Sequence, residues 1–245
     1  MLGAFVILSV SYHFALRLGG ILQRSLLSPA LSSTPSGGEG ARRAGEEVSI
    51  GETTGYHWEL VSALFAADSR TLSEKPRVLI QTATGDIEVE LDRNRAPATV
   101  KNFLRYVEKG LYRDGLFHRT VTLSNQPANK VKIEVLQAAA NPARTNEFLP
   151  PIKLERTRDT GLKHLDGTIS MARDGPDTAQ DEFFICIGDQ PELDFGGKRN
   201  PDGQGFAAFG KVIKGMDVVR RIQSAPADGQ SLKPPIRILN AVKMN

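Results

Sequence analysis

The sequence of 245 residues predicts a mainly β domain, either an antiparallel barrel or a sandwich, on the basis of two observations. Short apolar runs recur along the chain, and turn-rich segments separate them, which is typical of short strands. From residue 77 onward only two stretches carry apolar residues at helical spacing, so a fold that alternates strands with helices is not indicated. The chain shows no internal repeat of about 20 to 50 residues.

The first strands are predicted in the segment VLIQTATGDIEVEL, residues 78–91. An apolar run is followed by a turn at residues 84–86. Beyond the turn, apolar and acidic residues alternate strictly, as they do in a strand with one buried face. The segment therefore predicts a β-hairpin.

The first helix is predicted to begin at Pro97, because proline suits the first turn of a helix. Apolar residues then follow at the spacing of a single helical face, namely Val100, Phe103, Leu104 and Val107. Gly110 is expected to end this helix.

The remaining elements follow in the same way. Short apolar runs lie around Phe117 and at residues 131–136, 168–172, 183–187 and 206–212. A second helix is predicted over residues 215–223, and the alternation of Ile236, Ile238 and Val242 predicts a last strand.

The N-terminal part has a different composition. Residues 1–30 are mostly apolar and contain no Asp or Glu, and they are interpreted as a signal-like or anchor-like segment. Residues 31–76 are interpreted as a linker, in which residues 55–70 have the spacing of a short helix. Export to the periplasm or tethering to a membrane is favoured, and a cytoplasmic or organellar location stays an alternative. A misassigned start would also account for this segment.

Several classes of function are not indicated. The net charge of +3 comes without a Lys/Arg-rich run interleaved with aromatic residues, so no nucleic-acid partner is expected. Nucleophile-elbow, P-loop and dinucleotide motifs are absent, and the four histidines lack metal-ligand spacing. Neither a metal nor a cofactor is therefore expected. The lone Cys186 is interpreted as a small buried apolar residue.

A longer pattern runs through the last two thirds of the chain. It comprises the hairpin T-x-x-G-D-I-x-V-x-L, APATVKNFLRYVEKGLY, FHR at 117–119, VKIEVLQ at 131–137, DGTISMARDGPDTAQDEFFICIGDQPELD at 166–194 and FGKVIKGMDVVRRIQ at 209–223. These motifs resemble those of the cyclophilins, in particular of bacterial members, over residues 77–245. The resemblance implies a closed eight-stranded antiparallel barrel capped by two α-helices. It also implies peptidyl-prolyl cis-trans isomerase activity, which would assist protein folding and requires no cofactor.

The resemblance also implies the site. Arg119 matches the arginine that donates to the prolyl nitrogen, and Gln137 matches the glutamine that binds the substrate backbone and orients the arginine. These two are the predicted catalytic residues. The predicted substrate-binding residues are Phe117, Val135, Ala172, Arg173, Glu182, Phe184, Leu193 and Phe206. Proline-containing segments of unfolded or flexible chains are the expected partners, and a monomer is expected.

Some positions depart from the family's pattern. Glu182 replaces a glutamine, Glu192 a tryptophan, and Phe206 stands near the usual site of a pocket histidine. Glu134 falls on a pocket phenylalanine, and residues 138–139 are Ala-Ala where Gly-Gly is usual. Because the tryptophan is missing, cyclosporin is expected to bind weakly or not at all.

Two other functions stay open from the sequence. One is a non-catalytic proline-peptide binding module or holdase with the same fold, which the departures favour. The other is a hydrolase that uses the glycine-rich loop 196–205, for which no pair of nucleophile and base is found.

Overall fold

The computed structural model describes residues 75–244. The predicted anchor-like segment and all but the last two residues of the predicted linker lie outside this range. The strands are β1 (Arg77–Thr82), β2 (Gly85–Leu91), β3 (Leu116–Val121), β4 (Val135–Ala139), β5 (Thr168–Met171), β6 (Phe183–Cys186), β7 (Ala207–Lys214), β8 (Ala227–Asp228) and β9 (Ser231–Met244). The α-helices are α1 (Pro97–Glu108), α2 (Thr157–Thr160) and α3 (Met216–Gln223), and 3-10 helices span Pro142–Glu147 and Pro191–Leu193.

The strands close into a barrel. Hydrogen bonding follows the order β1-β2-β7-β5-β6-β4-β3-β9, and β9 returns to pair with β1. These eight strands are antiparallel to their neighbours, while the two-residue β8 pairs with β9. Closure leaves no free edge among the eight strands. The prediction of a closed eight-stranded antiparallel barrel is confirmed.

The predicted hairpin is formed by β1 and β2, which join at the pair Thr82 and Gly85. Gly85 has a φ of +138°, a backbone conformation that other residues adopt only with strain. The alternating apolar residues of β2 are fully buried, which explains the strict pattern in the sequence.

The two longer helices agree with the predictions in position. Helix α1 begins at Pro97, and Gly110 follows its end with a φ of +62°. Its residue Phe103 packs against the rings of Phe183 and Phe209, at centroid distances of 5.5 and 5.2 Å. Helix α2 is an additional single turn that the sequence analysis did not predict. Within residues 75–244, no helix has the length and apolar character needed to cross a membrane.

In β3, the side of the strand that faces the barrel core changes part-way along its length. Phe117 and Arg119 in β3 would face the same side of a regular strand, since side chains alternate. The pairing of β3 with both neighbours shifts register between these two residues, as at a β-bulge. Phe117 is therefore buried in the barrel core, with its ring 6.1 Å from that of Phe183, whereas Arg119 reaches the outer surface.

Candidate active site

A cleft of about 380 Å³ on the outside of the barrel gathers nine of the ten predicted site residues. They are Arg119, Val135, Gln137, Ala172, Arg173, Glu182, Phe184, Leu193 and Phe206. The tenth, Phe117, was wrongly assigned to the cleft, because the bulge in β3 turns its side chain into the barrel core. The resemblance placed both Phe117 and Arg119 in the site, because no sequence signal marks the bulge that separates them.

The cleft is built on a row of residues that crosses four strands. Arg119 on β3 stands opposite Gln137 on β4, which stands opposite Phe184 on β6. Phe184 in turn is opposite Ser170 on β5. Because paired residues of antiparallel strands lie side by side, the row brings a cation, an amide and an aromatic ring to one face.

The Arg119 guanidinium is held by two glutamines. Its Nη1 donates to Oε1 of Gln137 at 2.9 Å. Its Nε and Nη2 both donate to Oε1 of Gln230, at 2.9 and 2.7 Å. These bonds use three of the five guanidinium N–H groups, so two remain for a ligand. Partial burial lowers the pKa of Arg119, while the charge of Glu182 acts in the opposite direction, and arginine keeps its proton at neutral pH.

Gln230 was missed by the sequence analysis. It lies just before β9, and its backbone carbonyl accepts from Thr120 N at 2.8 Å, next to Arg119 in β3. Its Nε2 donates to the carbonyl of Asn125 at 3.2 Å, which fixes the amide orientation. A separation of 111 residues from Arg119 and a position outside the quoted motifs left no signal for it.

The floor of the cleft is apolar. Val135, Phe184 and Leu193 are nearly fully buried there and form a small cluster that is separate from the barrel core. Ile133 also belongs to this cluster and lines the cleft, although the family pattern puts a pocket phenylalanine at the neighbouring position, Glu134. Phe206 stands edge-on to Phe184, with ring centroids 5.4 Å apart.

Arg173 lines the cleft, but its guanidinium is already hydrogen-bonded to other residues of the chain. Its Nη1 and Nη2 donate to the carboxylate of Asp202 at 2.7 and 2.9 Å, and its Nε donates to the carbonyl of Gly205 at 2.8 Å. The guanidinium also lies over the ring of Phe206 at 5.1 Å. The Arg173 side chain, which is 1% exposed, thus anchors the loop 196–205 against the cleft.

Sequence comparison assigns this arrangement to a family. The family model for cyclophilin type peptidyl-prolyl cis-trans isomerase/CLD matches residues 77–243, which is more than half of the chain. The chain belongs to the cyclophilin family. The prediction of a cyclophilin-type peptidyl-prolyl cis-trans isomerase is therefore confirmed.

Individual relatives agree with the family model. Peptidyl-prolyl cis-trans isomerase A of Dickeya dadantii is 38% identical over 168 residues, which are 68% of this chain and 78% of the relative. Peptidyl-prolyl cis-trans isomerase B of Escherichia coli is 37% identical over 155 residues, which are 63% of this chain and 87% of the relative.

Solved structures show the same fold. A cyclophilin type peptidyl-prolyl cis-trans isomerase of Cryptosporidium parvum superposes with a TM-score of 0.56 at 24% identity, over 70% of this chain and 98% of that chain. A second crystal structure of that protein, in the presence of the dipeptide Ala-Pro, superposes with a TM-score of 0.55.

The cyclophilin domain accommodates its unusual residues in different ways. Ala138 and Ala139 are regular members of β4, and neither has a positive φ, so the alanines carry no backbone strain. Glu192 lies in the short helix Pro191–Leu193, where its Oε2 accepts from the backbone N–H of Lys198 at 2.8 Å. Glu182 is hydrogen-bonded to the central row, because its Oε2 accepts from Nε2 of Gln137.

The cyclophilin domain also holds a row of Ser, His and Asp that the sequence analysis missed. His164 Nδ1 lies 2.8 Å from Oδ1 of Asp194, and its Nε2 lies 2.9 Å from Oγ of Ser170. Both Ser170 and His164 are buried behind Phe184, whose ring is stacked on the imidazole at 6.0 Å. A substrate cannot reach this serine, so the row supports the floor and gives no support to a hydrolase. Among residues 75–244, no group of His, Cys, Asp and Glu could hold a metal ion.

Proposed function

We propose that this cyclophilin domain accelerates rotation about X-Pro peptide bonds with Arg119 as its electrostatic catalyst. The observation that supports this role is the guanidinium of Arg119, fixed by Gln137 and Gln230 beside the apolar floor. In this arrangement the proline ring binds on Val135, Phe184 and Leu193. Gln137 binds the substrate backbone next to the proline.

The chemistry follows from the amide bond. Resonance gives the C–N bond partial double-bond character, and the barrier to rotation is about 18–20 kcal/mol. When the bond twists, resonance is lost and the lone pair returns to the prolyl nitrogen. A cation that donates to this nitrogen binds the twisted state more tightly than either planar state, and this difference lowers the barrier. Rotation breaks no covalent bond, so neither a nucleophile nor a base is needed.

A non-catalytic proline-peptide binding module or holdase is the second candidate function. The hydrogen bond from Gln137 to Glu182 favours it, because it occupies the amide that would otherwise bind the substrate backbone. The unused N–H groups of Arg119 favour the isomerase. We therefore place the isomerase first.

The test is NMR exchange spectroscopy on a short X-Ala-Pro-Phe peptide with the full-length protein. We expect the wild type to speed cis-trans exchange and Arg119→Ala to lose most of this effect. Arg113→Ala, at an exposed position, is the matched control and should behave as the wild type. Peptide binding without faster exchange in the wild type would overturn the isomerase assignment and leave the binding module.

The cellular setting is a further part of the proposal. The acid-free apolar segment 1–30 supports export, with the domain acting on newly exported chains in the periplasm or from a membrane tether. There it would assist folding, since uncatalysed prolyl isomerisation takes tens of seconds or longer. Cell fractionation of a C-terminally tagged full-length protein, with N-terminal sequencing, tests this location. Recovery of the intact chain in the cytoplasm would contradict it.

Two properties complete the proposal. The domain acts as a monomer, which size-exclusion chromatography with light scattering would test; a dimer mass would contradict it. It binds cyclosporin weakly or not at all, because Glu192 stands where the family has an indole. Isothermal titration with cyclosporin measures this directly, and a submicromolar dissociation constant would contradict it.

A further inference from the structure

The two ends of the cleft carry charges of opposite sign. At one end lie the carboxylates of Asp174, Asp181 and Glu182, all from the segment that leads into β6. At the other end lies Arg199 of the loop 196–205. Its side chain lines the same cleft as that of Arg119. A peptide bound along the cleft therefore has acidic groups near one end and the cation of Arg199 near the other.

Arg199 is held in place by a buried partner. Its Nη1 donates to Oε1 of Gln126 at 2.9 Å and to the carbonyl of Val131 at 2.7 Å. Gln126 is 1% exposed, and its Nε2 donates to the carbonyls of Thr122 and Ile133, at 2.8 and 2.6 Å. The position of the guanidinium is thus set by the backbone of the loop that precedes β4.

Within residues 75–244, the Arg199 guanidinium has no carboxylate partner, and its Nε and Nη2 have no acceptor. Arg173 in the same cleft differs, because Asp202 and Gly205 occupy its guanidinium. Burial lowers the pKa of Arg199, and the charge of Arg119 lowers it further, so an anion bound here would relieve an unfavourable environment. Next to it, the Nδ2 of Asn200 is buried without an acceptor from the described residues.

The positions of the residues that Arg199 and Glu182 contact, in β4 and just before it, indicate which side of the bound proline Arg199 faces. Arg199 contacts Val131, the apolar floor includes Val135, and Glu182 contacts Gln137. The floor therefore lies between the cation and the acidic end. The family resemblance implies that the residues before the proline lie along the backbone of Ala172 and Arg173, and the N–H of Ala172 donates to the carbonyl of Glu182 at 2.9 Å, at the acidic end. The residue after the proline then points toward Arg199.

We propose that Arg199, together with Asn200, forms a carboxylate-binding subsite for the side chain of the residue that follows the proline. Substrates with Asp or Glu at this position are preferred. This inference rests on the proposed function, since it assumes that the proline ring occupies the apolar floor. An arginine fork matches a carboxylate in geometry as well as in charge.

The experiment measures kcat/KM by NMR exchange for acetyl-Ala-Ala-Pro-Glu, -Pro-Gln and -Pro-Lys peptides. All three have amidated C-termini, so that the glutamate side chain supplies the only carboxylate. With the wild-type full-length protein we expect the Glu peptide to exceed the Lys peptide by about 3- to 30-fold, the range for partly buried charge pairs. In Arg199→Ala this ratio falls to about 1.

Two further variants make the result specific. Lys198→Ala removes a charge from an exposed position in the same loop and should keep the wild-type ratio, which separates the subsite from the general positive charge. Arg199→Lys should keep a reduced preference for the Glu peptide, which guards against a folding defect in Arg199→Ala. Equal values for the Glu and Lys peptides in the wild type, or a preference that persists in Arg199→Ala, would overturn the proposal.

Failure of the proposed function would look different. If no peptide is turned over, the isomerase assignment fails, and the same peptides are titrated by calorimetry. A dissociation constant that is lower for the Glu than for the Lys peptide, and only while Arg199 is present, would still support the subsite. Equal dissociation constants would overturn it independently of catalysis.

Discussion

Arg119 and Gln230 are joined by two hydrogen bonds to a single oxygen. Gln230 Oε1 accepts from Nε and from Nη2 of Arg119, at 2.9 and 2.7 Å. The glutamine itself is tied to the loop after β3 through the carbonyl of Asn125. The guanidinium plane is therefore fixed from the side opposite to Gln137, and Gln230 acts as a positioning residue for Arg119.

Replacing Gln230 should impair catalysis more than binding. In Gln230→Ala the Arg119 guanidinium loses two of its three hydrogen bonds and samples other orientations. Because hydrogen bonds to charged groups contribute about 1.5–3 kcal/mol, we expect kcat to fall by about 10- to 100-fold. KM should change less, since the apolar floor is untouched. Saturation kinetics on a proline tetrapeptide measure both constants.

Gln81→Ala is the matched control, since Gln81 lies on β1 away from the cleft. Gln230→Glu adds a second readout, because it keeps an oxygen that can accept both hydrogen bonds from Arg119 and should restore much of kcat. A rise in KM with unchanged kcat in Gln230→Ala would show that Gln230 serves binding and does not position the guanidinium.

Glu182 should bias the residue before the proline toward basic side chains. Its side chain is 40% exposed at the acidic end of the cleft. For such an exposed group we expect Lys-Pro peptides to exceed Glu-Pro peptides in kcat/KM by about two- to fivefold. In Glu182→Gln the ratio should approach 1, while an acceptor for Gln137 Nε2 is kept. Glu192→Gln, outside the cleft, is the control, and equal values for both peptides in the wild type would contradict the expectation.

The parts of the fold that depend on short-range patterns could be predicted from the sequence. The hairpin, helices α1 and α3 and most strands follow from apolar periodicity and from the positions of Pro97 and Gly110. Nine of the ten predicted site residues line the cleft, and those on β3, β4 and β6 meet there because the closed barrel places these three strands side by side.

The sequence could not reveal features that depend on register or distant contacts. A bulge in β3 adds a residue without a sequence signal, and it turned Phe117 into the core. Ile133, not Glu134, reaches the cleft because the backbone before β4 is irregular. Gln230 contacts Arg119, which is 111 residues away in the chain. Asp194 contacts His164, which is 30 residues away. Such isolated polar residues form no sequence pattern that would predict these contacts.

Cys186 should be unreactive in the folded protein. The residue is fully buried, and burial raises the pKa of its thiol far above the usual range, with smaller contributions from nearby carboxylates such as Asp194. Since the thiolate is the reactive form, labelling by a disulfide reagent at pH 8 should be at least about 100-fold slower than in denaturant. Absorbance of the released thiolate reports the rate. Rapid labelling of the native protein would contradict the described burial.

Asp194 should make the stability of the domain depend on acid pH. Burial alone would raise the pKa of this carboxyl, but hydrogen bonds and charge from His164, with the charge of Lys163, hold it below its ordinary value of 3.8. A carboxyl with a lowered folded-state pKa stabilises the fold above its unfolded pKa, and the contribution disappears as pH falls through the folded-state pKa.

The free energies of unfolding of Asp194→Asn and of the wild type, measured in urea, should therefore differ most at neutral pH, and the difference should shrink between about pH 5 and pH 2. The same comparison for Asp86→Asn, at an exposed position near the start of β2, is the control and should give only a small difference. A constant difference for Asp194→Asn over this range would mean that the carboxylate charge does not contribute to the stability of the row behind Phe184.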